Sequence, residues 1–239
     1  MLEINKLISG FRKGNPVIKN ISFRMDAGET VAVIGHNGAG KSTLAKSIVN
    51  MVPYLSGEIK FRGESIIGLK SYQIIEKDIQ YFLQGGRVFS HLTIEEHINF
   101  VGSHLSKEVM RKRRDKIFNY FPLFQHIDNG RLKLQASYLS GGEQHQLSLA
   151  MTLMKSPVLL ILDEPSAGLS PDNIKQLYQI LQRIKAEEEE LSILLIEQNV
   201  RQAKKFANRI IILENGEIVL NKNVGETSYD QIEKFFFRS

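Results

Sequence analysis

The sequence predicts an α/β fold with a largely parallel sheet, interrupted by a helical insert, on three observations. Thr30–Ile34, Val158–Leu162 and Ser192–Ile196 are short, mostly apolar runs of the kind that forms strands covered on both faces. Helical patterns separate them, the alternation that a parallel sheet requires. The composition, 239 residues with 42% hydrophobic and 24% charged, is that of an ordinary globular chain rather than a disordered one.

Taken in order, the first buried run ends at Gly35, and a helix is predicted over Ser42–Asn50, stopping before Pro53. Gly57–Gly63 alternates in period two and reads as a strand with one exposed face. From Leu92 to Tyr138 the pattern is helical and irregular. After the second buried run a helix is predicted over Pro171–Glu189, with proline in its first turn. The third run is followed by a helix over Val200–Ala207. A hairpin then pairs Arg209–Leu213 with Glu217–Leu220 and turns at Asn215–Gly216.

Composition excludes several functions. The longest strongly apolar run, Val158–Leu162, has five residues, whereas a transmembrane helix needs about 20. The first six residues lack the apolar core of a secretory signal. With no cysteine, disulfides, thiolate metal sites and a cysteine nucleophile are ruled out. Cytosolic residence fits these features. The net charge of +5 is concentrated in Lys107–Lys116, where Lys107, Arg111, Lys112, Arg113, Arg114 and Lys116 face only Glu108 and Asp115. Such a run is a solvated helix face or a contact for nucleic acid or anionic lipid, and its charge alone does not choose.

The chemistry begins at Gly35-His36-Asn37-Gly38-Ala39-Gly40-Lys41-Ser42, a full match to G-x-x-x-x-G-K-[ST] between a buried strand and a helix. Its glycines let the backbone bend around phosphates, and the helix that follows adds its positive dipole end. Lys41 is expected to reach the β- and γ-phosphates, Ser42 to hold Mg²⁺, and Thr43 to meet the α-phosphate. His36 is a loop position of which no chemistry is demanded. The second buried run ends in Asp163-Glu164, at the strand edge where ligands bind in open α/β sheets. Asp163 is placed to support Mg²⁺, and Glu164 to polarise the attacking water. Together these motifs predict a nucleoside-triphosphate site.

Leu139-Ser140-Gly141-Gly142-Glu143 lies 19 residues before the second buried run. With the phosphate loop, it resembles the signature of the ATP-binding cassette (ABC) ATPases, and the resemblance covers essentially the whole chain. It implies one nucleotide-binding domain over 1–239: a P-loop NTPase core with an N-terminal antiparallel β subdomain over 1–84 and 146–239, and an inserted α-helical subdomain over 85–145. It further implies head-to-tail pairing with a second cassette, as a homodimer or heterodimer, each ATP lying between one phosphate loop and the other chain's Ser140, Gly141 and Gly142. Gln84 matches the glutamine that touches Mg²⁺ or the attacking water, and Phe11 the aromatic that stacks on adenine. Separate transmembrane permease subunits are implied as partners, with the chain peripheral on the inner face of the membrane and no direct contact with nucleic acid.

Glu143 stands where many members have Gln, a common variation, whereas two positions depart from that pattern: Ser170 where an aspartate is usual, and Gln198 where a histidine contacts the γ-phosphate. Glutamine can donate a hydrogen bond there but carries no charge. Arg87-Val88-Phe89, Leu92–Glu96 and Glu197-Gln198-Asn199 resemble the branched-chain amino-acid importer ATPases, although those often have Glu where this chain has Gln84. The expected function is ATP hydrolysis coupled to solute transport. The alternatives are an ABC-type ATPase acting on nucleic acid or ribosomes, and a cassette that holds ATP without hydrolysing it.

Overall fold

The computed structural model describes residues 1–124 and 130–236. Part of the predicted helical stretch and insert, at 125–129, lies outside the described residues. By its internal contacts the chain divides into two compact units, Met1–Ile79 with Val158–Glu164 and Glu190–Ser239, and Gln80–Pro157 with Pro165–Glu189.

The first unit contains two sheets. One is antiparallel, with strands β1 (Leu2–Gly10), β2 (Ile18–Met25), β4 (Tyr54–Phe61) and β5 (Glu64–Ser65) in the order β2-β1-β4-β5. The short helix α2 (Ser71–Ile75) follows β5 in the chain. Sequence reading assigned only β4 of these strands, for a local reason. In β1 the buried positions Leu2 and Ile4 alternate, but the phase then slips, so that Leu7, Ser9 and Gly10 are buried. The register against β4 shifts between Asn5 and Ile8, Lys6 has a left-handed backbone (φ 48°), and Gly57 opposite has φ 101°. A Cβ on Gly57 would stand 2.4 Å from the Lys6 carbonyl oxygen, so only glycine fits this bulge.

The second sheet carries β10 (Glu217–Asn223), β9 (Arg209–Glu214), β3 (Thr30–Ile34), β8 (Ser192–Glu197) and β7 (Leu159–Asp163), in that order. β9, β3, β8 and β7 run parallel, and β10 closes the predicted hairpin antiparallel to β9. Every residue of β3, β7 and β8 is buried, which is why each reads as a continuous apolar run. Helix α1 (Lys41–Ile48) packs on β7 and β8, and α7 (Val200–Phe206) on β3, β8 and β9. Each fully buried Ile or Leu contributes about 1.5–3 kcal/mol, so this sheet is the stable platform of the unit. Arg209 fastens one end, donating to both Glu29 oxygens at 2.7 and 2.9 Å.

The second unit is mainly helical: α3 (Ile94–Gly102), α4 (Lys107–Tyr120), α5 (Gly141–Leu153) and α6 (Pro171–Glu187), with short 3-10 turns between α4 and α5. Thr93 starts α3 with a reciprocal cap, its hydroxyl accepting from the Glu96 N–H at 3.1 Å while Glu96 accepts from the Thr93 N–H at 2.7 Å. Ser170 caps α6, accepting from the Asn173 N–H at 3.4 Å, and so has a local structural use despite its departure from the family pattern.

Candidate functional site

The first unit assembles the phosphate loop, the two acids where β7 ends and the end of β8. β3 stops at Ile34, and the loop starts where the chain passes the β9 end closely: a Cβ on Gly35 would lie 2.2 Å from the Leu213 carbonyl oxygen. Gly38 and Gly40 have φ 83° and 103°, and Gly40 immediately precedes α1, whose first turn no side chain caps. The N–H groups of that turn remain donors for an anion.

Lys41 is 4% exposed, and its ammonium donates to the carbonyl oxygens of Gly35 at 2.9 Å and His36 at 3.0 Å. It stands 3.8 Å from Glu164 Oε1. Burial lowers the Lys41 pKa, and attraction to Glu164, Asp163 and Glu197 counters only part of that. Ser42 Oγ donates to Asp163 Oδ1 at 2.8 Å. A hydroxyl beside a carboxylate is a pair of hard oxygen donors, the chemistry that suits Mg²⁺. Thr43 is buried on α1, and its carbonyl accepts from Ser47 Oγ at 2.7 Å.

Glu164 follows the last residue of β7 with a left-handed backbone (φ 47°), a conformation that costs a non-glycine residue about 1–2 kcal/mol. Its N–H donates to the Ile196 carbonyl at 3.0 Å, tying this turn to β8. Gln198 Nε2 donates to Glu164 Oε1 at 2.6 Å. The amide thus bonds the very carboxylate that sequence reasoning singled out as the base. Glu197 was missed in that reading. It is 2% exposed, and its Oε2 accepts from the N–H groups of Gln198 at 3.0 Å and Asn199 at 3.2 Å. The turn that presents Gln198 therefore hangs on that carboxylate, and an acid closing a buried strand was the available signal.

The structure thus brings Lys41, Ser42, Asp163, Glu164 and Gln198 together. Phe11 lies in the same unit just beyond β1 and is 53% exposed. Gln84, Ser140, Gly141 and Gly142 belong to the second unit. There Ser140 begins α5 with a reciprocal cap: its N–H and hydroxyl both donate to Glu143 Oε2 at 2.8 Å, and its oxygen accepts from the Glu143 N–H at 3.3 Å. Gln84 is exposed after β6 (Ile79–Phe82). The basic run on α4 is partly matched within its own unit: Lys112 pairs with Glu108 at 2.7 Å, Lys116 with Glu188, and Arg113 donates to the Met154 carbonyl at 3.1 Å.

Residues 18–167 match the ABC transporter family, a span that holds the phosphate loop, the signature and both Asp163 and Glu164. The chain belongs to the ABC transporter family. It is an ATPase cassette of that family. A high-affinity branched-chain amino acid transport ATP-binding protein of Pseudomonas aeruginosa is 38% identical over 92% of each chain. A probable branched-chain amino acid transport ATP-binding protein of Archaeoglobus fulgidus is 31% identical over 98% of this cassette and 97% of its own length. A phosphonates import ATP-binding protein of Fusobacterium nucleatum is 32% identical over 99% of the cassette and 98% of its own length. Among solved structures, an ATP-binding subunit of an ABC transporter superposes with a TM-score of 0.79 at 27% identity, covering 99% of this cassette and 93% of that chain. No described helix is long and apolar enough to cross a membrane.

Proposed function

We propose that this cassette powers solute import through separate permease subunits, and that the solute is a branched-chain amino acid. The observation that carries the ATPase part is the cluster of Lys41, Ser42, Asp163, Glu164 and Gln198 on one sheet edge. The substrate class rests on the 38% identity over 92% of both chains with the Pseudomonas protein, against 32% with the Fusobacterium phosphonate importer subunit.

In this reading the phosphate loop and the start of α1 hold the triphosphate, with Lys41 on the β- and γ-phosphates, Thr43 on the α-phosphate and Phe11 stacked on adenine. Ser42 and Asp163 would hold Mg²⁺, which would neutralise charge on the phosphate oxygens. Glu164 accepts a proton from the attacking water as the bond from the γ-phosphorus to the ADP oxygen breaks. Gln198 fixes the Glu164 carboxylate through its 2.6 Å hydrogen bond, and as an amide it does so without adding charge. Ser140, Gly141 and Gly142 of one cassette close over the γ-phosphate held by another, so ATP joins the pair and hydrolysis releases it. The cassette then works at the inner face of the membrane, where the permease subunits present their cytoplasmic side.

The test is the molar mass of the Glu164→Gln chain in solution, with and without ATP. An ATP-dependent shift from monomer to dimer is expected, because the variant binds ATP but hydrolyses it roughly 10²–10⁴-fold more slowly. A chain that fails to bind ATP refutes the site. For the substrate, the complex co-purified on this chain is placed in liposomes and tested for ATP-dependent uptake of labelled leucine. Uptake of a phosphonate but not of leucine refutes the assigned class.

A further inference from the structure

Glu143 puts a carboxylate on the N-terminal turn of α5, the place where the proposed function needs an anion to bind. Its Oε2 takes the Ser140 hydroxyl proton at 2.8 Å and the Ser140 N–H at 2.8 Å, so two donors of that helix start are already committed to a negative group. An uncompensated carboxylate there repels a phosphate. The structure supplies the compensation: the Arg131 guanidinium pairs with Glu143 Oε1. Both side chains are about one-third exposed, and they are the charged members of an open hollow of about 290 Å³ that Ser140, Gln146, Asn173 and Gln176 also line. Burial would raise the Glu143 pKa, but the bonds from Ser140 and the nearby Arg131 outweigh it and keep the carboxylate ionised. Among the described residues Arg131 Nε is buried without a partner, so the guanidinium is held against the pair by packing as well as by charge.

We propose that Arg131 is a positioning residue of the signature: it cancels the Glu143 charge and holds that carboxylate in the cap, so that the α5 start can receive the γ-phosphate bound to a second copy of this chain. The inference rests on the proposed pairing through Ser140. It also accounts for Glu at 143, because a carboxylate is tolerated there only with a cation beside it. A unit charge about 6 Å from a phosphate, at an effective dielectric of about 20, changes anion affinity by about 100-fold, and salt screening reduces this to about tenfold.

The test compares ATP-dependent dimerisation of four chains, all in the Glu164→Gln background and at about 0.15 M salt. Arg131→Ala is expected to weaken dimerisation by about tenfold. Adding Glu143→Gln to Arg131→Ala is expected to restore it, because the neutral amide keeps the cap and removes the repulsion. A loss caused merely by a loosened helical unit is not repaired by that second change. Ser140→Ala serves as the control for the pairing itself. If Arg131→Ala dimerises like its parent while Ser140→Ala is weakened, the role of Arg131 is refuted and the pairing stands. Failure of Glu143→Gln to rescue the Arg131→Ala chain likewise refutes that role. If the parent with bound ATP stays monomeric, or Ser140→Ala pairs normally, the pairing falls and the inference with it.

Discussion

Replacing Lys41 by methionine should separate the lysine's part in binding from its part in folding. The ammonium is 4% exposed, donates to two carbonyl oxygens at 2.9 and 3.0 Å, and stands 3.8 Å from Glu164. At that separation, an effective dielectric of about 20 gives an attraction of about 4 kcal/mol, and taking the charge out of water costs a comparable amount. Methionine keeps most of the volume, so the stability of the chain should change by no more than about 1–2 kcal/mol. Binding has no such cancellation. Two charge-assisted hydrogen bonds to phosphate, at about 1.5–3 kcal/mol each, vanish together. After the cost of withdrawing the lysine from its carbonyls, a loss of about 3–4 kcal/mol remains, or roughly 10²–10³-fold in Kd. Calorimetric titration with ATP reads the affinity, and a thermal melt with and without ATP reads the same loss as a missing ligand-induced shift. A Lys41→Met chain that melts like its parent and binds ATP within about threefold of it would refute the assignment of this loop.

Two further outcomes follow from the same geometry. Gln198→Leu removes the donor to Glu164 and should slow steady-state ATP turnover by about tenfold or more with ATP affinity retained, whereas Gln198→His restores a donor and should recover most of the rate. Equal turnover in all three chains would show that the contact is idle. His145, on α5, is 4% exposed, and burial pulls its pKa down to about 4, although a hydrogen bond to the Pro165 carbonyl acts in the opposite direction. As the pH falls from about 6.5 to about 4, the unfolded chain takes up a proton that the folded one refuses, so stability present above that window is lost by up to about 3 kcal/mol. Denaturant titrations across the window should show a shallower decline for His145→Gln than for the parent, and parallel declines would sink the assignment.

The segments that could be read directly are those governed by neighbours in the chain. β3, β7 and β8 are covered on both faces, so their central positions are apolar and only their ends carry polar residues (Thr30, Asp163, Ser192 and Glu197). Pro171 in the first turn marked the start of α6, and Asn215–Gly216 marked the hairpin. The slip in β1 could not be read this way: its cause is the approach of Gly57 from another strand, and the phase change at Lys6 breaks the alternation that identifies a strand. The basic run on α4 likewise showed its charge but not its partners, since Glu188 lies far along the chain.

By itself, then, the sequence determined which chemistry the cassette carries. Glycine spacing, a lysine and a hydroxyl at a helix start, and two acids closing a strand are local necessities of phosphate binding, and they survive without knowledge of the fold. Tertiary structure decided which groups hold those side chains in place. Gln198 bonding Glu164 and Arg131 pairing with Glu143 join residues 34 and 12 positions apart in the chain. Hydrogen bonds and ion pairs depend on distances of a few ångströms in space, and only the packed sheet and helices set those distances.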